Sequence, residues 1–140
     1  KLYDIMVWGS LVIAIPTTLL ADWVIYIFYG VDFQEAADVL KMYIWAGVFV
    51  SLGVASSKWL IAENLERYSF YSTLLGAILN IVCNFYLIPI YGIRGAALAT
   101  LISYGTAAYL SMALFEKTRN NFWIATRALN PYAVYLRATR

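Results

Sequence analysis

The chain has 140 residues, 63% of them hydrophobic and 17% aromatic, with 13% charged and a formal net charge of +2. Mean hydropathy is +0.70, whereas soluble domains carry about a quarter charged residues, so a soluble globular protein is excluded. The absence of histidine excludes histidine proton relays and histidine metal ligands in this stretch, and the single cysteine, Cys83, excludes a disulfide framework or a zinc site.

Four apolar runs reach or approach the roughly 18–20 residues needed to cross a bilayer, at about 5–27, 40–62, 70–89 and 95–115. This predicts an all-α membrane protein with four transmembrane helices in residues 1–116, followed by a basic tail over 117–140. The opening, Lys1-Leu2-Tyr3-Asp4, has no initiator methionine and enters an apolar run almost at once, which reads as a piece of a longer chain.

The first run contains Pro16, which lacks a backbone donor, and then Asp22. Its aromatic close, "DWVIYIFYG", fits either the end of a long tilted helix or an interfacial segment with Trp23, Tyr26 and Tyr29 at headgroup depth. Val31, Phe33, Ala36, Ala37 and Leu40 then predict a short amphipathic lead-in to the second span.

Small and polar residues recur at helical spacing in the remaining spans. Gly47, Ser51, Ala55, Lys58 and Ala62 fall on one face of the second; Thr73, Gly76, Asn80 and Asn84 on one face of the third. Ala99, Ser103, Ala107 and Ser111 do so in the fourth, which leaves Leu101 and Tyr109 on its opposite face. In lipid, helices associate where small residues let backbones approach and polar groups bond across the seam. A seam through Gly76, Asn80, Ala99 and Ser103 is expected. Between these two spans "IPIYGIRG" predicts a tight hairpin, with Pro89 ending one helix and Gly92 and Gly95 freeing the backbone.

Charge orients the whole. The first gap holds Asp22, Asp32, Glu35 and Asp38 against Lys41 alone, and Arg94 stands in the hairpin. The other eight basic residues (positions 1, 58, 67, 117, 119, 127, 137 and 140) fall on the opposite side. Short cytoplasmic loops carry the excess of Lys and Arg, so both ends are predicted to be cytoplasmic. In the tail, Phe122, Trp123 and Tyr132 with Arg127 and Arg137 suit an inner-leaflet surface segment, the plain alternative being an unstructured end.

Asn80 and Asn84 serve either as interhelical glue or as lining of a polar pathway. Lys58 either snorkels to the interface or, from the small-residue face, meets an anionic ligand. Asp22 reads as an interfacial residue, with ion coupling as the alternative. No catalytic constellation stands out, and no enzyme, cofactor, metal or nucleic-acid partner is expected. A membrane glycosyltransferase would have to draw its acids from Asp32, Glu35 and Asp38.

Two stretches, "YGVDFQEAADVLKMYIWAGVF" and "GAILNIVCNFYLIPIYGIRGAALATLISY", resemble the lipid-linked oligosaccharide (O-antigen type) flippases of the multidrug/oligosaccharidyl-lipid/polysaccharide exporter superfamily. The likeness covers about residues 5–118. It implies a fold of twelve to fourteen spans in two bundles, of which this chain would be the last four, in the C-terminal bundle. It implies flipping of undecaprenyl-diphosphate-linked oligosaccharide across the bacterial inner membrane by alternating access. The implied partners are that cargo, membrane lipids, the N-terminal bundle of the same protein and a polysaccharide polymerase. Asn80, Asn84, Pro89, Gly92, Gly95, Ala96, Ala97, Ala99 and Thr100 carry the motif, mostly as architecture. A cation-coupled drug exporter of the same superfamily and a small four-helix scaffold are the competing readings.

Overall fold

A computed structural model of the chain describes residues 1–131 and 134. Among the described residues the architecture is helical, with no strand. Helix α1, Leu2–Tyr29, ends at Gly30, whose φ of 84° lies in the left-handed region that favours glycine. The "DWVIYIFY" stretch therefore belongs to α1, which also runs through Pro16 without a break. A 3₁₀ turn, Val31–Phe33, leads into α2, Gln34–Ala62, so the expected lead-in is one turn followed by a continuous helix.

The next helical run, Glu66–Gly105, contains one non-helical residue, Gly92, with φ 56° and ψ −133°. Residues 66–91 form α3. The chain reverses at Gly92, and α4 runs over residues 93–114, including a π turn at Thr106–Leu110 and a final turn, Ser111–Leu114. Two details of the hairpin differ from expectation. Pro89 does not end α3; it sits within the helix, two residues short of Tyr91. Gly95 serves close approach rather than unusual dihedrals: a Cβ there would run into the carbonyl of Leu87 on the facing helix.

Three stretches are long and apolar enough to cross a membrane: Leu2–Tyr29, Val31–Ala62 and Glu66–Leu114. The third has 49 residues and is folded back on itself at Gly92. Its two arms touch closely. A Cβ on Gly76 would stand 2.7 Å from the Cβ of Ala107 and 3.3 Å from the carbonyl oxygen of Ser103. The α4 stripe is accordingly sequestered, with Ala99, Ser103 and Ser111 buried. Tyr109 does not face outward as the helical wheel suggested. Its hydroxyl lies 2.8 Å from that of Thr126 and its ring centroid 4.8 Å from that of Phe122.

The α2 stripe divides between neighbours. Ala55 is fully buried, whereas Lys58 and Ala62 are exposed, and the buried face includes Val48, Leu52, Ser56 and Leu60. A helix packed against α1 on one side and the α3/α4 hairpin on the other presents two faces, which a single stripe does not describe.

After α4, a 3₁₀ turn, Glu116–Thr118, leads into α5, Arg119–Leu129. The sequence suggested a surface segment or a loose end here. Residues 119–129 form a helix, so the loose end does not hold there. α5 folds back along the bundle with one face inward: Ala125 and Ala128 are buried with Tyr3, Val7, Leu52 and Ala55 in one apolar cluster, while Trp123 and Arg127 stay exposed on the other face. Tyr132, Arg137 and Arg140, expected in the same tail, lie outside the described residues.

Candidate functional site

A cavity of about 610 Å³ opens between α2, α3 and α4. Gly53, Gly76 and Ala107 keep its floor shallow. A Cβ on Gly53 would already come within 3.3 Å of the Cβ of Ala108, so the helices converge at their small residues and diverge beyond them. The π turn shapes this wall, since Ala107 and Ala108 both lie in it and both line the cavity. π turns inside α-helices are frequent at functional sites.

The lining is mixed in a graded way. At one end stand Lys58, Ser57, Ser69 and Ser72, with Thr73 close by; further along come Ser103, Asn80 and Thr100. Val50, Val54 and Ile61 supply an apolar flank. Several hydroxyls are already engaged. Ser111 donates to Ser72 at 2.8 Å and Thr73 to the Ser69 carbonyl at 2.9 Å, while the Ser57 and Ser69 oxygens lie 3.5 Å apart. Lys58 is exposed and forms no ion pair among the described residues.

Of the three candidate binding residues, the structure brings Lys58 and Asn80 to the same cavity. Asn84 sits one turn on, at a separate hollow with Ile81, Phe85, Ile88 and Pro89. Its amide nitrogen donates to Asn80 Oδ1 at 2.9 Å, and its own Oδ1 is buried with no hydrogen-bond partner in the structure. The two asparagines thus partly satisfy each other along α3. Sequence reasoning missed Ser57, Ser69 and Ser72. The signal was present, because Ser69 and Ser72 continue the Thr73–Gly76–Asn80 face by one further turn.

A second polar group lies at the same end of the bundle but inside it. Asn121 of α5 is fully buried. Its amide donates to Ser56 Oγ at 3.2 Å and its carbonyl oxygen accepts from the Tyr3 hydroxyl, which also lies 3.0 Å from Ser56 Oγ. Ser56 donates in turn to Met112 Sδ at 3.1 Å, and Thr118 to the Met112 carbonyl at 2.7 Å. This node joins α1, α2, α4 and α5. Buried polar atoms need such partners, because an unmade bond costs about 1–3 kcal/mol.

The opposite end carries a chain of ion pairs. Lys41 Nζ lies 2.7 Å from Asp22 and 3.7 Å from Asp38, and Arg94 Nη2 lies 2.9 Å from Asp38. Asp22, a candidate for ion coupling from its place in the sequence, is therefore a 65% exposed partner of Lys41, far along the bundle from the lysine of the cavity. Asp38 ties α2 to the start of α4 just past the Gly92 reversal.

The chain is similar to an uncharacterized membrane protein of Methanocaldococcus jannaschii, at 34% identity over 76 residues. The match takes in 54% of this chain and 18% of the other protein's length. No family model matches the chain, and no solved structure matches it. The likeness and the apolar helices agree on the coarse description: this is an all-helical membrane protein.

Proposed function

We propose that the chain is the C-terminal part of a flippase for lipid-linked oligosaccharide, with the α3/α4 hairpin counted as two spans, hence four in all. In this reading the Lys58 end and both ends of the chain are cytoplasmic, and the protein sits in the cell membrane facing its own N-terminal bundle. The motif likeness of residues 5–118 motivates it. The observation that carries it is the composition of the cavity. Such a cargo has an anionic diphosphate, a run of sugar hydroxyls and a long apolar tail. The cavity has at its mouth a lysine with no ion pair among the described residues, hydroxyl and amide groups along its length, and an aliphatic flank. An anion entering a low-dielectric site needs a cation or donors, since an uncompensated buried charge costs several kcal/mol.

In the mechanism, Lys58 acts as a point charge that draws the diphosphate from the headgroup layer. Asn80, Ser103 and Thr100 then offer hydrogen bonds in place of water. The apolar flank keeps the tail in a lipid-like setting, so only the polar part of the cargo is desolvated. The test is restoration of surface polysaccharide by the full-length protein in a strain lacking the flippase. Lys58→Arg is expected to restore most of it, and Lys58→Gln little, at equal expression. Full restoration by Lys58→Gln removes Lys58 from the cargo path.

A further inference from the structure

The two ends of the bundle treat their cations differently. At the Gly92 end, Lys41 and Arg94 are both neutralised by carboxylates of the same chain. At the other end, Lys117, Arg119 and Arg127 are exposed and none has an ion-pair partner among the described residues. The two arginines share a face. Arg119, Trp123 and Arg127 follow at steps of four along α5, opposite the buried Asn121, Ala125 and Ala128. Trp123, between them, is 54% exposed.

The direction of α5 sets the depth of this face. Thr118 bonds to Met112, Phe122 stacks on Tyr109, and Thr126 meets the hydroxyl of Tyr109. Rising numbers on α5 thus meet falling numbers on α4, and α5 runs back alongside the spanning helices. Arg119 stands at the end of the bundle and Arg127 roughly 12 Å further along the axis, at about 1.5 Å per residue. A bare guanidinium facing hydrocarbon is costly, but its long stem lets it reach the headgroups. A tryptophan at that level sits where indoles favour the membrane interface.

We propose that the Arg119–Trp123–Arg127 face of α5 is a docking surface for anionic phospholipid headgroups. Charge complementarity selects this occupant: two forked donors, free of protein carboxylates among the described residues, flank an interfacial indole, and Arg matches phosphate oxygens in a bidentate manner. The small-residue face behind it and the Asn121 node hold the helix in place, so the lipid meets a surface already formed.

The test reads lipid contact at Trp123. The chain is reconstituted in phosphatidylcholine vesicles containing a minor fraction of brominated phosphatidylglycerol or, in the parallel arm, the same fraction of brominated phosphatidylcholine. The fluorescence difference between the native chain and Trp123→Phe isolates the quenching of Trp123. The anionic lipid is expected to quench it at a mole fraction roughly tenfold lower than the neutral one, given the attraction of two surface cations. Arg119→Gln/Arg127→Gln is expected to abolish that preference. Equal quenching by the two lipids, or a preference that survives in the double variant, overturns the proposal. If circular dichroism shows the double variant misfolded, a salt titration of the native chain decides instead. A preference that fades with added salt upholds the proposal; one indifferent to salt overturns it.

Discussion

Gly76 lies against Ala107 so closely that a Cβ added to Gly76 would come within 2.7 Å of the alanine methyl. Real Cβ atoms do not approach to that distance, and the next neighbour, the Ser103 carbonyl, is backbone that yields little. Gly76→Ala should therefore push α3 from α4 and destabilise the fold by about 1–3 kcal/mol, the usual cost of overpacking. Ala99→Leu and Ser103→Leu should lower folded yield for the same reason. Ile102→Leu, on an exposed part of α4, should be neutral. Thermal melts in detergent check this; equal melting temperatures for Gly76→Ala and Ile102→Leu would contradict the close seam.

The Tyr3–Ser56–Asn121 node predicts strong coupling between the two ends of the described chain. Asn121→Ala leaves two buried hydroxyls short of a partner, and should cost about 1–3 kcal/mol. Tyr3→Phe should cost a comparable amount, because it strands the buried Asn121 carbonyl oxygen even though Ser56 stays bonded to the Asn121 amide. A double-mutant cycle should return an interaction of about 1 kcal/mol between positions 3 and 121, within the range for residues in one network. Simple additivity of the two changes would show that they do not share the bond.

Ion pairs at the Gly92 end are exposed, so each contributes modestly and is screened by salt. Asp38 bridges two cations, Lys41 and Arg94. Asp38→Asn should lower the melting temperature at low ionic strength more than Asp22→Asn does, and both differences should shrink in high salt. Unchanged differences across the salt range would assign the effect to something other than charge.

The proposed topology places Gln34 and Lys117 on opposite faces of the membrane. On a Cys83→Ala background, Gln34→Cys should react with an impermeant thiol reagent in intact cells, and Lys117→Cys only after permeabilisation. Both positions are exposed, so access alone does not limit labelling. The reverse pattern would invert the orientation.

Much of the helical layout was legible because long apolar runs with small residues at steps of three and four fit little besides packed membrane-spanning helices. The reversal was legible from Pro89, Gly92 and Gly95, but their separate roles were not. A proline ends a helix only where the lost bond and the ring clash are decisive, and within a long apolar helix Pro89 is accommodated. Lys58 and Asn80 pointed toward the cavity, whereas the serines beside them read as ordinary interfacial residues until three helices brought them together. α5 was the least legible element. Its Asn121 looks like a solvated residue of a basic tail, and only Tyr3 and Ser56, distant in sequence, make it a core residue. Tyr109 misled for a related reason: a wheel drawn for α4 alone assigns it to lipid, and α5 covers it.

The reversal at Gly92 also bears on how such a chain is made. A single non-helical residue joins α3 to α4, so there is no connecting loop to be translocated by itself. Arg94 meets Asp38 only when α4 already lies beside α2. Until α4 follows, Gly76 on α3 has no facing helix to cover it. A chain that ends shortly after Gly92 is therefore expected to be cleared by proteolysis faster than one that ends after Leu114.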